Sequence, residues 1–147
     1  IKWNYPDWKQ SRQEHAELWS QRVPTKEDLK DLRMILEYSD LGMNMCSTMS
    51  LDFMLFDKPV INPVFGNMEN GLYNDQRFLK YAHYEKVIKS GAVIIAKNAE
   101  ELIESINFSL ENPEARLHEQ RELIKLQIGK PLEGTSEQIA GALKSLI

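Results

Sequence analysis

The chain has 147 residues, enough for a domain with its own core, and its 42% apolar and 27% charged side chains are the balance of an ordinary globular protein. A formal charge of -4 leaves no basic face for a phosphodiester backbone and argues against nucleic acid as a partner. No apolar run approaches the roughly 18 residues of a membrane span, the start does not read as a signal peptide, and one cysteine, Cys46, can form neither an internal disulfide nor a metal cluster, so a reducing cytosol is expected.

Residues 1–24 are rich in tryptophan, glutamine and charge, with Trp3, Tyr5, Trp8 and Trp19 alongside Pro6 and Pro24. They suit an extended leading segment, then a short helix over 13–21, and their tryptophans suit an interface with a further N-terminal part of the protein. Thr25 followed by Glu27 and Asp28 is a helix start, and Leu29, Leu32, Ile35 and Leu36 give that helix one apolar face, ending over 38–40. Alternation over 41–46 predicts a strand, 51–56 a buried helix, and Val60-Ile61 a second strand after the breaker Asp57-Lys58-Pro59. Residues 62–75 show no periodicity and predict a loop long enough for function. A helix over 76–89 stops at Ser90-Gly91, and 92–96 is a third strand.

The remainder predicts helices. Asn98 caps one carrying Leu102, Ile103, Ile106 and Leu110. Asn112, with Pro113 at the first helical position, caps the next, which places Leu117, Ile124 and Ile128 on one stripe and ends at Gly129. Thr135-Ser136-Glu137-Gln138 reads as a capping box for a last helix with Ile139, Leu143 and Leu146 inward. Strands alternating with helices predict an α/β fold: a Rossmann-like parallel sheet with helices on both faces, built as a single domain over 1–147.

The most informative stretch is Cys46-Ser47-Thr48-Met49-Ser50-Leu51-Asp52. A helix opening on hydroxyl residues at a strand's end offers N–H groups and a positive dipole end to an anion such as a diphosphate. The same pattern is also an ordinary N-cap in α/β proteins. Asp52 tips the balance, because a carboxylate in an otherwise apolar helix is costly unless it faces a polar cavity or a ligand, and a ribose diol suits it. A nucleophilic role for Cys46, Ser47 or Ser50 is weaker, since the surroundings are not a G-x-S-x-G elbow. Neither dinucleotide nor Walker glycine runs are present. Asn67, Asn70, Tyr73, Asn74, Asp75, Arg77, His83 and Tyr84 gather polar groups after the second strand, and Asn67, Tyr73, Arg77 and His83 are candidate pocket-lining residues. Residue by residue, a solvated loop and the exposed face of the following helix explain them better; as a group after a strand's end they suit a pocket. Three scattered histidines, His15, His83 and His118, predict no metal site, and no cofactor is called for.

Tyr38-Ser39-Asp40, the turn from Cys46 to Asp52, and Phe56-Asp57-Lys58-Pro59-Val60-Ile61 together resemble the C-terminal domain of GT-B-fold glycosyltransferases. The likeness is to bacterial surface-polysaccharide transferases, including CDP-glycerol glycerophosphotransferase-like proteins, and more distantly to UDP-GlcNAc 2-epimerase. Gly91-Ala92-Val93 followed by Ala99-Glu100-Glu101-Leu102-Ile103 fits the end of the same domain, so the resemblance spans residues 30–147. It implies a donor-binding domain, incomplete at its N-terminus, whose substrate-binding residues are Cys46, Ser47, Thr48, Met49, Ser50 and Asp52. The hydroxyl turn would hold the diphosphate of a nucleotide-sugar donor, and Asp52 would take the ribose where many relatives carry Glu. It further implies an unknown acceptor, a partnering N-terminal domain carrying the catalytic base, and a cytoplasmic location, peripheral at the inner face of the membrane. The alternatives are a non-catalytic ligand- or partner-binding α/β module and a sugar-nucleotide epimerase of the same fold.

Overall fold

The computed structural model describes residues 5–6, 9–10, 22–66, 79–129 and 132–146. The expected helix over 13–21, Trp3, Trp8, Trp19 and His15 lie outside the described residues. The chain divides into two compact units, Ile1–Ser39 and Asp40–Ile147.

In the first unit, β1 (Lys9–Gln10) pairs antiparallel with β2 (Arg22–Val23), and α1 covers Lys26–Tyr38. Thr25 caps α1 as expected: its Oγ1 accepts from Asp28 N at 3.1 Å, and Asp28 Oδ2 accepts from Thr25 N at 2.7 Å. The expected apolar face is only partly buried. Leu36 is buried, Leu32 is half-buried, and Leu29 and Ile35 are exposed.

The second unit is α/β with a three-stranded parallel sheet in the order β3-β4-β5, consistent with a Rossmann-like fold. Its strands are β3 (Gly42–Met43), β4 (Val60–Pro63) and β5 (Ile94–Ala96), with Ile61 opposite both Met43 and Ile94. Val60, Ile61 and Asn62 are all buried, as befits a central parallel strand covered on both faces. The helices are α2 (Met49–Leu55), α3 (Ala82–Ser90), α4 (Ala99–Glu111), α5 (Leu117–Ile128) and α6 (Thr135–Lys144). α2 packs on β3, β4 and α5, while α4 packs on β4 and β5. Gly42 permits the approach of α2 to β3, since a Cβ there would overlap the Phe53 ring of α2.

Glycine and asparagine signals set several helix ends as expected. Asn98 Oδ1 accepts from Glu101 N at 2.8 Å at the start of α4, and Gly91 and Gly129 end α3 and α5 in left-handed geometry at φ 75° and 69°. α2 ends on Asp57 at φ 54°, with Asp57 N and Lys58 N bonded back to Met54 O and Phe53 O, a Schellman closure made without glycine.

Five expectations are corrected. The strand over 41–46 shortens to Gly42–Met43, because Asn44 Oδ1 takes the Ser47 N–H at 2.8 Å and Cys46 turns left-handed at φ 53°. β4 runs on through Asn62 and Pro63, which belong to the sheet and not to a loop. Asn112 closes α4 rather than opening α5: its N–H and side chain both return to Phe108 O, and α5 starts only at Leu117. At α6 the cap position is Gly134 at φ 72°. Thr135 is the first helical residue, with its hydroxyl donated back to Leu132 O and no capping bond. The α6 stripe also fails to turn inward: Ile139, Leu143 and Leu146 are 56%, 59% and 82% exposed. Periodicity defines an apolar face but not the partner that would bury it.

Candidate functional site

β3 and β4 run parallel and end at one edge of the sheet, the side on which open α/β sheets take ligands. Asn44 stands one residue past β3, Asn62 lies within β4, Ser50 is in the first turn of α2, and Tyr84 is on α3. Their polar atoms form one buried network. Asn62 Nδ2 donates to Asn44 O at 2.9 Å and faces Asn44 Oδ1 at 3.2 Å. Tyr84 Oη donates to Asn62 Oδ1 at 2.6 Å. Ser50 Oγ lies 2.9 Å from Tyr84 Oη and 3.1 Å from Asn44 Oδ1.

The bonding fixes both amide orientations. Ser47 N–H can only donate, so Asn44 must present its oxygen; Asn44 O can only accept, so Asn62 must present its nitrogen. The Tyr84 proton is then committed to Asn62, and the single Ser50 proton serves either Tyr84 Oη or Asn44 Oδ1. Burial, partly opposed by the Ser50 and Asn62 hydrogen bonds, pushes the Tyr84 pKa up to about 12. Asn44 Nδ2 is the network's buried polar atom with no partner among the described residues.

This network supports the turn that the sequence singles out, and it divides the expected ligand contacts. Ser50 is 0% exposed with its hydroxyl in the network, so it braces the turn from beneath rather than facing a ligand. Cys46, Ser47 and Met49 are half-buried and Thr48 is exposed. Several of the expected free donors are already used. Ser47 N bonds to Asn44 Oδ1, Met49 N to Ser47 Oγ at 3.3 Å, Ser50 N to Ser47 O and Leu51 N to Thr48 O. Thr48 opens α2 without a side-chain capping bond.

Asp52 follows within the same helical turn. It is half-buried, burial alone raises its pKa above the ordinary carboxylate value, and it has no hydrogen bond or ion pair among the described residues. In the same unit, Glu85 pairs with Lys89 at 2.6 Å and Asp57 with Arg121 at 3.2 Å.

No known protein family, curated protein or solved structure matches the chain.

Of the candidate pocket residues, Asn67, Tyr73 and Arg77 lie outside the described residues, as do Asn70, Asn74 and Asp75. His83 is exposed on α3, its ring 5.6 Å from that of Tyr81, while the next residue, Tyr84, points into the network. A groove of about 400 Å³ lies at the other end of α2, between Met54, Leu55, Asp57 and the α5 residues Arg121, Ile124 and Lys125. It does not touch the hydroxyl turn, and its ion pair is already closed, so the turn remains the better chemical candidate. Asn44 and Asn62 are the residues that sequence reasoning passed over. Their signal was present, since each is an amide at the end of or within an apolar strand, where a polar side chain needs a partner.

Proposed function

We propose that residues 40–147 are the donor-binding part of a glycosyltransferase, a GT-B-type C-terminal domain using a nucleoside-diphosphate-activated sugar, or a similarly activated donor, in surface-polysaccharide synthesis at the inner face of the membrane. The observation that carries this reading is Asp52. A partly desolvated carboxylate with no hydrogen bond or ion pair among the described residues, in the first turn of the helix that follows the hydroxyl-bearing turn, is a small cost to the fold that a ligand supplying the missing donors would remove. Two adjacent ribose hydroxyls do so. The diphosphate would then lie against Ser47, Thr48 and Met49, with the Thr48 hydroxyl and the positive end of α2 toward it, and would be stabilised as it departs during transfer. Asn44, Ser50, Asn62 and Tyr84 would hold that turn in shape. The acceptor and its base are assigned to a further domain.

The test is an amide-shift titration of the protein with UDP, GDP, CDP and CMP. Shifts concentrated at residues 46–52 for at least one nucleoside diphosphate are expected. Asp52→Ala should then weaken that nucleotide by about tenfold, the size of a hydrogen bond to a charged group, with the fold retained. A flat response to all four would sink the reading in favour of a non-catalytic module. Unchanged affinity in Asp52→Ala would remove the ribose role alone.

A further inference from the structure

At the amino end of the sheet, opposite the candidate site, α4 and the turn over 112–116 close on the starts of β4 and β5. Val60, Ile94, Phe108, Ser109, Pro113 and Arg116 border a cavity there of about 10 Å³. That is close to one water-sized sphere, the smallest space that admits a water molecule.

Two polar atoms of the residues bordering this cavity have no hydrogen-bond partner among the described residues, Ser109 Oγ and Arg116 Nε. Both atoms are buried, and Ser109 as a whole is 2% exposed. Ser105, one turn earlier on the same face of α4, gives its hydroxyl to Glu101 O at 2.6 Å. Ser109 does not make the equivalent bond, so its hydroxyl is left for something in the cavity. The Arg116 guanidinium is fixed by Nη1, which donates to Gly91 O at 2.6 Å. Leaving a buried hydroxyl and a buried N–H both unpaired is costly, and native structures rarely tolerate it where a water can enter.

The chemistry of the two atoms selects the occupant. Arg116 Nε–H can only donate, so the occupant must accept a hydrogen bond. The guanidinium charge rejects a cation, and the space rejects a carboxylate or phosphate. A monatomic anion could accept from both groups, but it is larger than water.

We infer that this cavity is a built hydration site, in which one ordered water accepts from Arg116 Nε and hydrogen-bonds Ser109 Oγ. The water joins α4 to the residue that opens α5. It adds to a clamp already present on the loops entering β4 and β5, where Gln120 Nε2 reaches Lys58 O at 3.1 Å and Ala92 O at 3.4 Å. The site is independent of the proposed donor-binding role and lies at the other end of the sheet.

Two measurements on the 147-residue chain test it. In crystals, one water is expected at hydrogen-bond distance from both Ser109 Oγ and Arg116 Nε, with no anomalous peak there after a bromide soak. An empty cavity, a direct Ser109–Arg116 bond or a bromide peak would overturn the inference. In solution, a dipolar cross-peak from a long-lived water to Arg116 Hε is expected, and Ser109→Val, whose added methyl takes the water's space, should abolish it. The absence of that cross-peak in the unsubstituted protein, or its survival unchanged in a folded Ser109→Val, would equally overturn it. If Ser109→Val does not fold, Ser109→Ala serves instead, with an expected shift of the Arg116 Nε–Hε resonance; an unshifted resonance counts against the site.

Discussion

The two ends of the three-stranded sheet bury polar side chains in opposite ways. At the carboxyl end, Asn44, Ser50, Asn62 and Tyr84 bond mainly to one another, drawing a turn, a strand and two helices into one side-chain network. At the amino end, Gln120 and Arg116 bond to backbone carbonyls of the loops entering the strands, and each keeps one buried atom without a partner among the described residues. A mutual network specifies geometry, because each member is placed by the others and removing one strands the rest. A clamp on backbone carbonyls only holds a loop down. The end that would have to present a turn in one shape is the end with the network.

Asn62 should show the difference most strongly. It is fully buried, and Asn62→Ala leaves Tyr84 Oη only Ser50 Oγ as a partner while removing the bond to Asn44 O, so we expect a loss of about 3 kcal/mol in urea unfolding. A loss below about 1 kcal/mol would mean that the network is a weak set of contacts and not a unit.

Tyr84→Phe should come next, at about 2 kcal/mol, since it leaves Asn62 Oδ1 without its donor. It also has a pH signature. The folded-state pKa of Tyr84 is raised to about 12, so its contribution is fully present below the ordinary tyrosine value near 10 and is lost as pH rises toward 12. The unsubstituted protein should lose stability across that window, and the Phe variant should lose less. Equal slopes in the two proteins would show that Tyr84 ionises as freely as a surface tyrosine.

How much of this was legible in the sequence follows the same division between local and distant bonding. The caps at Thr25 and Asn98 and the stops at Gly91 and Gly129 were readable because each is closed by residues within one turn. Asn112 misled because asparagine can close a helix as well as open one, and only its bond back to Phe108 O decides between them. The α6 stripe was readable as amphipathic but not as exposed. The turn over 46–52 was visible as a candidate, but the use of its N–H groups by Asn44 and Ser47 was not, because the Asn44 side chain is placed from Asn62, 18 residues away. Tyr84 was visible only as one of several polar residues after a strand.

The amino end predicts a milder response. Gln120→Met keeps the side-chain volume, loses the contacts to Lys58 O and Ala92 O, and removes an Oε1 with no partner among the described residues, so the net cost should stay below about 1 kcal/mol. A larger loss would place this end beside the network in importance and would remove the contrast.

Asp52 gives the smallest expected effect and the one of opposite sign. Burial raises its folded-state pKa, so the carboxylate favours the fold while protonated and loses that contribution as pH rises through the raised value. At neutral pH the ionised group therefore opposes folding slightly. Asp52→Asn should stabilise the protein at pH 7 by no more than about 0.5 kcal/mol, because water still screens a half-exposed group, and the gain over the unsubstituted protein should fade as the pH is lowered toward 4. The network residues should cost stability when changed, and Asp52 should return some. A destabilised Asp52→Asn at pH 7 would mean that the carboxylate serves the fold, and the argument for a ligand at the carboxyl end would lose its main support.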